Sequence, residues 1–128
     1  MITLIRNGTV FNPEPQGEKD ILIAGGKIVA VDEPGKIKIE GPAVEFVDAS
    51  GRTVVPGLID PHVHILGGGG EGGPATRAPE IRVEKIIASG VTTVIGCLGT
   101  DGITRHMESL LAKARALEAE GISTFLFA

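Results

Sequence analysis

Hydrophobic and polar positions follow two different rhythms along the chain, and the change falls after Pro79. Before it come short β-prone runs separated by turn signals: 2–6 (ITLIR), 9–11, 20–24, 27–31, 44–47 and 53–55. Lys36 to Glu40 alternates and predicts a short edge strand. Asn7-Gly8 predicts a hairpin turn, Gly25-Gly26 a tight turn, and 12–19, with Pro13 and Pro15, a loop. Strands at this spacing predict a small β-sandwich.

Beyond Pro79 the period lengthens. Glu80 to Ser89 predicts a short helix with Ile81, Ile86 and Ile87 as apolar positions and Gly90 as its stop. Val91 to Leu98 (VTTVIGCL) is apolar and β-branched, as in a strand covered on both faces. Thr104 is the expected cap of a second helix. Met107, Leu110, Leu111, Ala114 and Leu117 follow helical spacing, and Gly121 sits past its end. Ile122 to Phe127 predicts a further strand. From Leu58 to Ala128 the order is therefore β-loop-α-β-α-β, which predicts a parallel sheet. The fold expected is α/β: the N-terminal part of a small β-sandwich over 1–55, then the first three strands of a (β/α)8 TIM-like barrel over 56–128, truncated.

Composition narrows the classes. The net charge is −4, with eight acidic and six basic residues on each side of Val55, so no basic surface for nucleic acid is expected. Cys97 is the single cysteine; it excludes an internal disulfide and is expected as a small core residue in a reducing, cytoplasmic setting. No apolar run approaches the ~20 residues that cross a bilayer, and no signal peptide is evident, so no membrane partner is expected. Glycine supplies 19 of 128 residues, and eight lie between Gly51 and Gly73, marking backbone that turns sharply or approaches something closely.

That region, Pro56 to Arg77 (PGLIDPHVHILGGGGEGGPATR), carries the candidate chemistry. Side chains two apart on a strand share a face, so Asp60, His62 and His64 point together. Two neutral imidazoles at a C-terminal strand end suit Zn²⁺ or a similar ion. The alternative is a chance pair in a turn. Asp60 suits a supporting role: orienting a histidine or capping the strand end. The loop GGGGEGG lacks the Gly-Lys-Ser/Thr ending of a P-loop. Its backbone could approach a ligand, and Glu71 would suit a substrate ammonium group; otherwise it is a solvated charge on a mobile loop. Thr100 and Asp101 stand at the next strand end, where they could touch substrate or stabilise a turn. His106 reads as a surface residue, and Arg77 as a carboxylate binder without an evident partner.

The order IRNGTVF, DILIAGGKIVAV, VDASGRTVVPGLIDPHVH and then two β/α units resembles the metal-dependent amidohydrolase superfamily. HILGGGGEGGPATRAPE, GVTTVIGCLGTDGITRH and ESLLAKARALEAEGIS resemble, more narrowly, its isoaspartyl dipeptidase (β-aspartyl peptidase) branch. The resemblance implies a (β/α)8 barrel, a β-sandwich built from both chain termini, and two zinc ions bridged by a carboxylated lysine and a hydroxide. His62 and His64 match the first two metal ligands. Gly69, Gly70 and Glu71 match the segment contacting the dipeptide, with Glu71 taking its α-amino group, and Thr100 matches another substrate contact. The implied reaction is hydrolysis of the isopeptide bond at an aspartyl side-chain carbonyl, with a small dipeptide as substrate and a homo-oligomer as the full-length state.

The lysine, two further histidines, the proton-moving aspartate and the closing strands have no counterpart in these residues. No catalytic residue is therefore expected within this chain, which reads as an inactive N-terminal fragment of a longer enzyme. A cyclic amidohydrolase of the dihydroorotase or hydantoinase type is the alternative, and a non-catalytic fragment the third reading. The last predicts weak zinc retention, since two histidines are too few for a tight site.

Overall fold

The computed structural model describes every residue except Pro42 and Ala128. It divides into two compact units, 1–56 and 57–128.

The first unit is a mixed five-stranded sheet. Its strands are β1 (Ile2–Phe11), β2 (Pro15–Ala24), β3 (Lys27–Asp32), β4 (Val44–Asp48) and β5 (Thr53–Val54). The order is β3-β2-β1-β4, with β5 also pairing β1. β1 runs antiparallel to β2 and parallel to β4 and β5. Leu4, Val10, Ile21 and Ala49 are buried in this unit.

Three sequence expectations fail here. Asn7-Gly8 is not a turn, because β1 passes straight through it with a register break between Ile5 and Gly8. Asn7 adopts φ 61°, and its N–H donates to Asp20 Oδ1 at 3.0 Å. A Cβ on Gly8 would lie 2.6 Å from Val54 Cγ2. Asn-Gly thus serves as a bulge under a close neighbour, a use of the same conformational freedom that a hairpin would need. Lys36 to Glu40 forms no strand; Asp20 Oδ2 instead accepts the Gly35 N–H at 2.8 Å and ties down the start of that segment. The predicted loop before β2 is also shorter, since β2 already begins at Pro15.

The second unit holds β6 (Leu58–Val63), α1 (Val83–Ala88), β7 (Val91–Gly96), α2 (Met107–Ala119) and β8 (Ser123–Leu126), with a 3-10 turn over Pro74–Thr76. The three strands pair in parallel in the order β6-β7-β8. Pro61 has no N–H to give a ladder; it sits on an outer strand of this sheet, where the β6–β7 register breaks between Asp60 and Val63. Ile65, Leu66, Ile86, Val94, Leu110, Ala114, Leu117 and Ile122 form one buried cluster. Leu110, Ala114 and Leu117 are spaced i, i+4, i+7, one stripe of α2. Met107 and Leu111, expected on that stripe, are exposed; Leu111 stands about 100° around the helix from Leu110.

α1 begins three residues later than the pattern predicts. The Ile81 N–H is taken by the Ile65 carbonyl at 3.2 Å, and Arg82 is still extended as the N-cap. Thr104 does not cap α2. His106 is the N-cap residue, and the Thr104 hydroxyl donates to Asp101 Oδ2 at 2.5 Å. Among the described residues, no helix is long and apolar enough to cross a membrane.

Candidate functional site

Residues leaving the C-terminal ends of β6 and β7 meet around His64. His62 lies on β6 and His64 directly follows it; their rings are perpendicular with centroids 5.2 Å apart. The main chain of 97 continues the pairing past β7, its N–H donating to the Val63 carbonyl at 2.9 Å. That places the buried Cys97 Sγ 3.5 Å from His64 Nδ1 and 3.6 Å from the Val63 carbonyl. Burial, and then the charge of Asp60, raise the pKa of this thiol. The donor atoms of His62, His64 and Cys97 all lie within 4.8 Å of one another. Two imidazole nitrogens and one sulfur are a donor set that suits zinc-class ions, so these residues fit a metal. Asp60 Oδ1 accepts the His62 N–H at 3.1 Å.

The glycine loop wraps the other side of His64. A Cβ on Gly68 would lie 3.5 Å from His64 Cδ2, and one on Gly99 3.4 Å from His64 Nδ1, so two bare backbones flank the imidazole. The loop then folds on itself. Gly67 and Gly69 have φ 84° and 73°, and a Cβ on either would strike the Ala78 or Thr76 carbonyl at 2.2 or 2.4 Å. Left-handed φ and close backbone approach together admit only glycine at both positions.

This packing brings Gly69, Gly70, Glu71 and Thr100 to the wall of one cavity of about 370 Å³, within the range of small-molecule sites. The Thr100 hydroxyl donates to Glu71 Oε1 at 2.8 Å. Glu71's own backbone N–H, then Thr100, and last the charge of His64 hold the Glu71 carboxyl below the ordinary carboxylate range. The cavity therefore presents an ionised carboxylate fixed by a neutral donor, an arrangement that can receive a cation.

Asp101 is a turn residue. It accepts the Ile103 N–H at 3.1 Å, the Thr104 N–H at 2.9 Å and the Thr104 hydroxyl. Hydrogen bonding by Thr104 first, with Arg77 a smaller contributor, holds its carboxyl well below the usual range. Arg77, without a partner in the sequence reading, donates to Asp101 Oδ2 at 2.9 Å. His106 is exposed at the start of α2, away from the cluster of donors just described.

Two residues escaped the sequence reading. Cys97 was expected in the core, where it is, but not beside an imidazole; its approach depends on the β6–β7 register. Arg105 is buried and donates to the Ala78 carbonyl at 2.8 Å and the Gly68 carbonyl at 3.4 Å, with Asp101 at 4.0 Å. It clips the two ends of the glycine loop together, and nothing in its sequence neighbourhood signals this.

The histidine pair and the nearby thiol at a parallel strand end are a donor set that can hold a divalent ion, and the neighbouring cavity carries the fixed carboxylate. The sequence pattern of the Amidohydrolase family matches residues 45–116, and the chain belongs to that family, whose members generally use divalent metals. Among solved structures it is similar to the β-aspartyl dipeptidase of Fervidobacterium islandicum AW-1 in complex with β-Asp-Leu dipeptide. The identity is 53%, covering 99% of this chain and 33% of that one, with a TM-score of 0.89. The dihydroorotase of Streptococcus pyogenes serotype M3 is 35% identical over 111 residues, 84% of this chain and 24% of that protein. The D-hydantoinase of Thermus sp., at 23% identity and a TM-score of 0.64 over 97% of this chain and 26% of that one, shares the fold. The chain thus spans about a third of the similar dipeptidase and about a quarter of the curated dihydroorotase.

Proposed function

We propose that the chain forms the first part of a zinc-dependent isoaspartyl dipeptidase, comprising part of a β-sandwich and the opening strands of a (β/α)8 barrel. The carrying observation is the Glu71–Thr100 pair at 2.8 Å, held in one cavity with Gly69 and Gly70. A dipeptide has a free α-ammonium group, and an ionised, pre-oriented carboxylate is the group that recognises it. The similarity to a dipeptidase solved with β-Asp-Leu supports the same reading.

In this reading His62 and His64 hold zinc, and the remaining donors come from sequence beyond these residues. When bound, the metal supplies Lewis acidity toward the scissile carbonyl and lowers the pKa of water. Glu71 binds the substrate ammonium, and Thr100 keeps its carboxylate from rotating away. Gly69 and Gly70 let the main chain approach the dipeptide without side chains between. Phe125, Ile59 and Leu58 are exposed on the three-stranded sheet, and closure of a barrel with its outer layer of helices would cover them. A (β/α)8 barrel of this type would also carry its site at the strand ends where His62 and Thr100 lie.

The test uses a chain of the relatives' length carrying these 128 residues. Zinc-loaded protein is assayed on β-Asp-Leu, with Glu71→Gln alongside. The expected result is turnover by the parent and a KM rise of at least about tenfold in the variant, the loss of a charge-assisted contact. Unchanged dipeptide kinetics in Glu71→Gln would refute the ammonium role. A second reading, hydrolysis of a cyclic amide, is favoured by the dihydroorotase similarity; it predicts turnover of dihydroorotate or a hydantoin and none of β-Asp-Leu.

A further inference from the structure

We infer that Arg77 is a positioning residue for the Glu71–Thr100 pair: its side chain straps the loop that carries Glu71 to the turn that carries Thr100, and so sets the gap across the cavity. The inference rests on the proposed ammonium role of Glu71 and names the residue on which that role depends.

Neither of the two segments is held by regular structure. Glu71 lies in the glycine loop and Thr100 in the turn that follows β7. Arg77 stands on the returning arm of the loop. A Cβ on Gly70 would lie 3.4 Å from Arg77 Cγ, so the arginine stem lies against the main chain next to Glu71. Its Nη2 then crosses to the other segment, donating to Thr104 Oγ1 at 2.7 Å and standing 2.9 Å from Asp101 Oδ2. Asp101 adjoins Thr100 and is itself fixed by the N–H groups of Ile103 and Thr104. The guanidinium is therefore anchored to the turn whose hydroxyl meets Glu71 at 2.8 Å. Arg77, Glu71, Thr100 and Asp101 all line the same cavity. Arg105 works elsewhere, on the Gly68 and Ala78 carbonyls at the base of the loop.

A guanidinium on a cavity wall can instead bind a ligand's carboxylate. Here Asp101 already occupies that place, and a ligand would have to displace it. A planar fork that serves a carboxylate and a hydroxyl together suits a strap, because it fixes direction as well as charge. The carboxylate that the sequence left unnamed for Arg77 is thus internal, and its use is geometric.

The test uses the zinc-loaded chain of the relatives' length, with Arg77→Met, Glu71→Gln and the double variant assayed on β-Asp-Leu. Methionine keeps a stem against Gly70 and removes the fork. Arg77 is partly exposed, and a thermal melt checks that each variant folds. Arg77→Met should raise KM about three- to tenfold and leave kcat within about twofold, the pattern of weakened uniform binding. On top of Glu71→Gln it should add less than about twofold, since a strap that acts through Glu71 then has nothing left to position. Effects that multiply would make Arg77 a direct substrate contact, and a fall in kcat with KM unchanged would make it a general structural residue; either overturns the inference. A crystal structure of Arg77→Met reads the positioning without any turnover: Glu71 Oε1 and Thr100 Oγ1 should part beyond about 3.5 Å, out of hydrogen-bond range. An intact bond between them overturns the inference whatever the kinetics. Parted atoms in a protein that never hydrolyses β-Asp-Leu, or whose Glu71→Gln variant is unimpaired, uphold the strap and remove the reading of Glu71 as the ammonium site of a dipeptidase.

Discussion

Arg105 is the residue on which the shape of the glycine loop most depends, and Arg105→Met isolates its polar role. Methionine keeps much of the apolar stem and removes every donor. The 2.8 Å bond to the Ala78 carbonyl is charge-assisted and part-buried; bonds to charged groups contribute about 1.5–3 kcal/mol. The 3.4 Å bond to Gly68 is long and adds little. Asp101 loses a contact at 4.0 Å but keeps Arg77 at 2.9 Å, so it is not left unpaired. The loop should therefore open more easily by about 2–3 kcal/mol, a factor of roughly 30 to 150 in its opening equilibrium. Native-state amide exchange reads this directly. The reporters are the Ala78 N–H, bonded to the Gly68 carbonyl at 2.8 Å, and the Gly67 N–H, bonded to the His64 carbonyl. Both should exchange faster by that factor, while the Ile122 N–H, bonded to the Leu117 carbonyl beside the core, holds its rate. An unchanged Ala78 rate would refute the reasoning. So would equal acceleration at Ala78 and Ile122, since that would make Arg105 a determinant of global stability and not of the loop.

Three further outcomes are expected. Asp20→Ala removes the buried carboxylate that accepts the part-buried N–H groups of Asn7 and Gly35 and should lower stability by about 1–3 kcal/mol in urea unfolding, with Asp20→Asn milder because one acceptor remains. Leu110→Ala opens a cavity at a fully buried position and should lower stability by about 2–5 kcal/mol with little change in slope, read by the same unfolding. Asp101 has a folded-state pKa below its unfolded value, so its contribution is present above the ordinary carboxylate range and is lost as pH falls through the folded pKa. Thermal melts of Asp101→Asn should accordingly fall less steeply than the parent's between about pH 4 and pH 2, and parallel slopes would exclude Asp101 as a source of the acid sensitivity.

The legible parts of this protein are those where one local signal has one structural outcome. The β-branched run from Val91 becomes β7 because neither its length nor its composition suits anything else. Gly90 and Gly121 stop helices in the left-handed conformation, at φ 74° and 95°. Asn7-Gly8 failed as a hairpin signal because the pair supplies positive φ to a turn or to a bulge alike, and only Asp20 and Val54, distant in sequence, choose between them. Lys36 to Glu40 alternates correctly for a strand but finds no partner, and an unpaired alternating segment has no ladder to join. Met107 and Leu111 fit helical spacing, yet the width of the neighbouring sheet decides how much of the stripe is covered.

At the site, sequence by itself determined which groups could do chemistry: His62 and His64 one residue apart at a strand end, and Glu71 inside a glycine-rich loop. Covalent spacing along a strand and the absence of Cβ atoms are properties of the chain, and they survive folding unchanged. Only the tertiary structure decided what meets what. The parallel register of β6 with β7 set Cys97 against His64, the strand-end turn delivered Thr100 to Glu71, and a buried Arg105 clamped the loop that carries it. Each of these contacts joins residues 27 to 37 positions apart, and at such separations distance is fixed by packing and pairing and not by the peptide chain.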